Sequence, residues 1–183
     1  EKKQETQHAI LLTHIAEKDF TFTEEVNLSP GREGAAELLT NQISSTVTET
    51  KIVGSKLIFK GIFSISLLYR TASGECGSTT AELPFSQIME VEGAVEGSDA
   101  SLQLQLTGTD LQIDGDDPEG RQIAVTLYIH ATALLREEQD LTLLSDLYST
   151  AYDMTYEAAP LSITSFCENL TRRQTLREVL EIG

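Results

Sequence analysis

Apolar and polar residues alternate along most of this sequence, and that alternation restricts the fold more than any other feature. It is clearest at 57–67, where every second residue is apolar or glycine: Leu57, Phe59, Gly61, Phe63, Ile65 and Leu67. Successive side chains of a β-strand point to opposite faces, so this segment presents one face to a core. The 21 threonines and the many Ile, Leu and Val residues also favour strands, because such side chains suit a pleated surface.

Two long hairpins follow from the alternation and from the turn residues that interrupt it. Segments 43–53 and 56–70 are separated by a Gly-Ser dipeptide, which is typical of a tight turn. Segments 101–113 and 121–136 are separated by a polar run rich in aspartate. We therefore expect a mainly β fold, either an antiparallel β-sandwich or a partly open barrel, with one short helix near residues 32–42.

The helix and an opening hairpin are predicted from shorter signals. Residues 32–42 contain the pairs Ala35-Ala36 and Leu38-Leu39, which favour a helix of about three turns by propensity. Near the start of the chain, 7–15 and 19–28 alternate and are separated by three residues, Ala, Glu and Lys. This arrangement predicts an antiparallel hairpin.

A sequence echo links the two ends of the chain. TLREVLEIG at 175–183 parallels TFTEEVNLS at 21–29, with apolar, Thr and Glu positions matched. We therefore expect 161–182 to repeat the opening hairpin, so that 1–149 is one β-domain and 150–183 is a linker plus the start of a second copy. The alternatives are a chance match between two amphipathic segments and, by propensity alone, an amphipathic helix near the end of the chain.

Three groups of residues resemble one domain family. The first group is Lys56, Leu57, Gly61, Leu68 and Tyr69, and the second is Pro84, Phe85, Ser86, Gln87, Glu90 and Gly93. The third is Asp-Leu-Tyr-Ser-Thr at 146–150. In this order they resemble the SPOCS domain, a spore-coat-associated domain of endospore-forming Firmicutes, over about residues 7–149. Independently of any family, Gly61 permits a close backbone approach and Phe85 suits a core position.

The resemblance implies a noncatalytic structural or assembly module of the spore envelope. Its partners would be other spore-coat or morphogenetic proteins, and its location the mother-cell cytoplasm or the surface of the spore coat. One member of the family carries a LysM tail and binds the coat-basement ATPase, but no LysM-like segment is visible here. The alternative is a carbohydrate- or cell-wall-binding β-sandwich, which needs a surface of aromatic side chains. The chain has no Trp, five Tyr and six Phe.

Charge narrows the range of partners. The formal net charge is −16, which argues against nucleic acid because phosphate binding depends on clustered cations. No run approaches the roughly 18 continuous apolar residues of a membrane-spanning helix, so we expect no membrane insertion. Residues 71–120 contain eleven Asp and Glu and no Lys or Arg, a stretch suited either to a basic partner or to solubility. Self-association into a homo-oligomer is compatible with this composition.

The sequence contains no constellation that indicates catalysis. We find no nucleophile elbow, phosphate loop or metalloprotease motif, and expect no enzymatic activity, cofactor or metal. His8 and His14 would lie about 20 Å apart along a strand, too far for one metal ion. The acidic run 110–119 lacks the order of a calcium loop and favours a solvated turn over a calcium site. Cys76 and Cys167 favour two unpaired thiols, with a disulfide as the alternative.

Overall fold

The structure is a computed structural model that describes residues 2–94, 98–157, 159–168 and 170. Within these residues the regular secondary structure consists of six β-strands. In chain order they are β1 (Lys2–Asn27), β2 (Ala35–Val53), β3 (Lys56–Thr71), β4 (Cys76–Glu90), β5 (Asp99–Ile113) and β6 (Gln122–Leu147). The prediction of a mainly β chain is confirmed. The described part of the chain contains no helix with the length and apolar character that a bilayer span requires.

The strands form two antiparallel three-stranded sheets rather than a closed barrel. One sheet has the order β1-β6-β5 and the other β2-β3-β4. The two long hairpins predicted from the alternation are confirmed, because β2 pairs with β3 and β5 pairs with β6. Gly54 closes the first of these hairpins with a φ of 57°, a left-handed conformation that favours glycine.

The two central strands supply most of the core. In β3 every odd-numbered residue from Leu57 to Thr71 is buried, which confirms the predicted apolar face. In β6 every odd-numbered residue from Ile123 to Leu135 is buried in the same way. Because these residues belong to different sheets but share one apolar cluster, the sheets enclose a single core.

The predicted helix near residues 32–42 is wrong, because this segment belongs to the start of β2. The strand pairs with β3 from Ala35 opposite Thr71, and register shifts occur between Ala35 and Glu37 and between Leu38 and Thr40. A β-bulge inserts an extra residue and disturbs the alternation of the strand. The doubled Ala and Leu residues therefore resemble a helical pattern, while pairing with β3 outweighs their weak helix propensity.

The predicted opening hairpin is also wrong, since β1 continues without a turn from Lys2 to Asn27. The three residues at 16–18 lack the Gly, Pro or Asn that commonly forms a tight turn. Instead, the Lys18 Nζ donates hydrogen bonds to β4, at the Gln87 Oε1 (2.9 Å) and the Ile88 carbonyl oxygen (2.7 Å). Lys18 therefore lies within a continuous strand, with its side chain at the edge of β4, and not in a turn.

At the other end of the chain the proposed second copy is only partly described. Residues 161–168 have no regular secondary structure, so the described part of this segment is neither a strand nor a helix. Residues 171–183 lie outside the described residues. The repeat and the division into 1–149 and 150–183 therefore stay predictions.

By internal contacts the chain divides into two compact units. The first contains residues 12–137 and holds the buried core. The second contains residues 1–11 and 138–183, and its described part comprises the start of β1, the end of β6 and the irregular segment that follows.

Candidate functional site

Two of the residues that carry the family resemblance, Gly61 and Phe85, form a cross-strand pair in the core. Gly61 lies directly opposite Phe85 in the β3–β4 pairing. A Cβ atom at Gly61 would lie 2.5 Å from the Phe85 Cζ and 2.4 Å from the Thr46 carbonyl oxygen. The glycine therefore provides the space in which the Phe85 ring lies over the sheet. This agrees with the close approach at Gly61 and the core position of Phe85 that the sequence indicated.

Phe85 is one of five aromatic residues that pack together between the sheets. Its ring stacks on Phe63 with centroids 4.4 Å apart, and it also contacts Phe20 and Phe59. Phe22 joins the group through Phe63, at a centroid distance of 5.0 Å. This cluster packs the core between the sheets. The surfaces that can bind another chain lie at the sheet edges.

The part of β1 that lies in the second unit, residues 2–11, has such an edge. β1 is the terminal strand of its sheet. The Ile10 N–H donates to the Ser165 Oγ (2.9 Å), and the Ile10 carbonyl accepts from the Phe166 N–H (2.9 Å). A strand residue directs its N–H and C=O to the same side, so both groups of Ile10 point away from β6. The edge of β1 thus binds residues 165 and 166 through the backbone of Ile10.

A groove lies in the same unit. Its volume is about 520 Å³. Its walls come from the start of β1, the end of β6 and the segment that follows: Glu5, Gln7, Leu143, Leu144, Ser145, Asp146, Leu147, Tyr156, Glu157, Ala159 and Leu161. Leu144, Tyr156 and Leu161 are all more than half exposed, so apolar surface is accessible at this groove.

The three histidines lie on β1 and β6, and two of them form hydrogen bonds to aspartates between these strands. The His130 Nδ1 lies 2.8 Å from the Asp19 Oδ1, and the His8 Nδ1 contacts the Asp140 Oδ1. His14 lies beside Gly93. Among the described residues, no three His, Cys, Asp or Glu side chains are grouped to hold a metal ion.

Two carboxylates of the acidic run, those of Asp114 and Asp117, accept hydrogen bonds from the backbone of the same run or of the residues just after it. Asp117 accepts hydrogen bonds from the N–H groups of Glu119 (3.0 Å) and Gln122 (2.9 Å), and also from that of Arg121. These bonds, the one from Glu119 above all, lower the pKa of Asp117. Asp114 accepts from the Asp116 N–H at 3.0 Å. Residues 114–119 of the run lie in the turn between β5 and β6, as the favoured interpretation predicted, while residues 110–113 belong to β5.

The Glu33 carboxylate supports the turn between β3 and β4. Glu33 accepts hydrogen bonds from the Ser73 hydroxyl (2.6 Å) and the Ser73 N–H (3.0 Å). The hydroxyl contributes most to lowering the pKa of Glu33. Cys76 and Cys167 are both exposed, unpaired thiols, which agrees with the favoured sequence interpretation.

Comparison with known families agrees with the sequence resemblance. Residues 35–114 match the family model described as SipL, SPOCS domain. The match supports the resemblance to the SPOCS domain family over these residues. No curated protein and no solved structure matches the chain. The match therefore indicates a sporulation-related domain.

The SPOCS match begins with the first residue of β2 and ends one residue beyond β5. It contains the whole β2-β3-β4 sheet together with Gly61 and Phe85. It is narrower than the 7–149 expected from the resemblance, and β1, β6 and the 146–150 motif lie outside it. The contact at Ile10 also lies outside the match, and no local pattern predicts it, because Ile10 and Ser165 are 155 positions apart.

Proposed function

We propose that the chain is a noncatalytic assembly module of the spore envelope that binds other spore-coat or morphogenetic proteins. The SPOCS match supports a role in sporulation. We further propose that the module acts in the mother-cell cytoplasm or on the surface of the spore coat. The net charge of −16 disfavours nucleic acid as a partner.

One observation carries the mechanism, namely the backbone contact of the β1 edge at Ile10. An edge strand offers unpaired N–H and C=O groups, and an extended segment can add to it as a further strand. In this chain Ser165 and Phe166 occupy that position at Ile10. We propose that an extended segment of a coat protein binds along this edge, with apolar side chains in the adjoining groove.

The test uses a fluorescent fusion of the complete protein in sporulating cells of an endospore former. We expect the fusion to collect at the forespore surface. The variant Ile10→Pro should lose this localisation, because it removes the outward N–H, and Ile10→Val should retain it. Proline is tolerated at edge positions whose N–H faces away from the sheet, so the variant should fold.

Two results would contradict the proposal. One is a wild-type fusion that spreads evenly through the mother cell during sporulation. The other is full recruitment of Ile10→Pro, which would remove the β1 edge from the mechanism. Thermal melting of both purified variants checks that they are folded.

The carbohydrate-binding alternative is favoured by one observation in the second unit. Tyr148, Tyr152 and Tyr156 are 51%, 79% and 60% exposed and lie within nine positions of one another. Exposed aromatic rings could stack on sugars. Sedimentation with purified spore peptidoglycan distinguishes the two functions: we expect no binding, whereas binding that is lost in a triple Tyr→Ala variant would favour the alternative.

A further inference from the structure

The backbone of β4 has a well-defined inner and outer side. The Val91 N–H donates to the Ser55 carbonyl (2.8 Å), and the Thr71 N–H donates to the Glu75 carbonyl (2.9 Å). Glu75 and Val91, which lie just beyond the two ends of β4, thus direct backbone groups toward the chain of β3 and its flanking residues. The β3–β4 pairing contains no register shift between these ends. The even-numbered residues therefore direct whatever backbone N–H and C=O groups they have outward: Ser78, Thr80, Glu82, Pro84, Ser86 and Ile88.

Three residues make outward backbone groups of β4 unavailable for pairing with another strand. The Arg32 Nη1 donates to the Ser78 carbonyl at 2.5 Å. The Lys18 Nζ donates to the Ile88 carbonyl at 2.7 Å and is held by the Gln87 Oε1 at 2.9 Å. Between them, Pro84 occupies an outward position and has no N–H to donate.

This spacing leaves little edge that another strand could use. In an antiparallel pair, each outward residue must offer both its N–H and its C=O. Ser78 and Ile88 have their carbonyls occupied, and Pro84 lacks a donor. The longest uninterrupted run of outward residues is Thr80 and Glu82, which is less than a typical strand pairing needs.

The edge would otherwise be well suited to self-association. Ile88 is 49% exposed, and the strand continues into the buried Met89. A two-fold arrangement would place β4 of one copy against β4 of another, the same surface on both sides. Natural proteins protect such edges with lysine, proline and covering side chains.

We infer that Arg32, Pro84 and Lys18 together close the β4 edge to a second copy of this chain. The three residues are named here the edge guards. Each acts on a different outward position, so their combined effect is larger than that of any one. The inference concerns self-association through β4 and holds whether or not the domain acts in the spore envelope.

The test compares two triple variants by sedimentation velocity over a range of concentrations. The first, Lys18→Ala/Arg32→Ala/Pro84→Thr, removes the edge guards. The second, Lys51→Ala/Lys56→Ala/Pro30→Thr, removes the same charge and one proline elsewhere. We expect the first variant to self-associate with a dissociation constant at least tenfold lower than that of wild type, and the second to behave as wild type.

Hydrogen exchange locates the association. The outward amides of Thr80, Glu82 and Ser86 should become protected when the first variant associates, while those of β3 should not change. The conservative variant Lys18→Arg/Arg32→Lys retains both donors and should behave as wild type. If the triple variant does not fold, Pro84→Thr alone decides, since it restores one outward N–H and should lower the dissociation constant measurably.

Three outcomes would overturn the inference. The first is a folded edge-guard variant with the self-association of wild type. The second is equal association of the charge-matched variant, which would assign the effect to net charge. The third is protection of β1 or β5 in place of β4 in the associated state.

Discussion

Glycines opposite aromatic rings recur in both sheets of this molecule. The three cross-strand pairs are Gly61 with Phe85, Gly77 with Tyr69, and Gly108 with Tyr128. A Cβ on the first two glycines would lie 2.5 Å from the opposing ring, and on the third 3.2 Å. The ring covers the backbone that a glycine leaves bare, which compensates for the low strand propensity of glycine. Two of these rings, Phe85 and Tyr69, are buried.

Phe85 should therefore be the most costly of these residues to shorten. We expect Phe85→Ala to lower the free energy of unfolding by about 3–5 kcal/mol, because it leaves a cavity among four other rings and exposes Gly61. Urea denaturation measures the change. Ile88→Ala on the same strand is the matched control and should cost less than about 1 kcal/mol, since Ile88 is 49% exposed. Equal losses in both variants would place the Phe85 ring outside the core.

Among the secondary-structure elements, regular strands were predictable and irregular ones were not. β3 alternates without interruption, and its buried face was identified correctly from sequence. β2 contains three register shifts, and the segment with the first two was predicted as a helix. Bulges arise from pairing with a neighbouring strand, so a local pattern does not report them.

The continuous course of β1 was hidden for a related reason. Charged residues at 16–18 indicated a turn, but Lys18 binds the edge of β4, 69 and 70 positions away at Gln87 and Ile88. The same limit applies to the candidate site at Ile10. Both depend on contacts between distant parts of the chain, which alternation and propensity do not encode.

The turn between β5 and β6 should depend on the charge of Asp117. Hydrogen bonds to its carboxylate, chiefly from the Glu119 N–H, hold its pKa below the ordinary value of 3.8. Since the folded pKa is lower than the unfolded one, the ionised group contributes fully above pH 3.8. This contribution is lost as the pH falls through the lower, folded value.

We therefore expect Asp117→Asn to lower the melting temperature at pH 7 and to match wild type at pH 2. Melting curves between these two values measure the convergence. Asp116→Asn in the same turn leaves the hydrogen bonds of Asp117 in place and should follow wild type throughout. A constant offset between wild type and Asp117→Asn at every pH would show that the charge is not what stabilises the turn.

For the molecule as a whole, repulsion between like charges should outweigh its ion pairs. The 29 acidic residues exceed the 13 Lys and Arg, giving a net charge of −16. In each Lys or Arg ion pair of the described residues, the carboxylate is more than half exposed. Exposed pairs contribute about 0–1 kcal/mol each, while a large net charge destabilises the compact state.

Salt should therefore stabilise this protein at neutral pH. Raising NaCl from about 10 mM to about 150 mM shortens the screening length from roughly 30 Å to 8 Å, which weakens repulsion between distant carboxylates. We expect the melting temperature to rise across this range at pH 7. Near pH 4.4, the isoelectric point calculated from the sequence, the net charge approaches zero and the salt effect should vanish. A melting temperature that falls with salt at pH 7 would mean that the ion pairs, rather than the excess of negative charge, dominate the electrostatics of the fold.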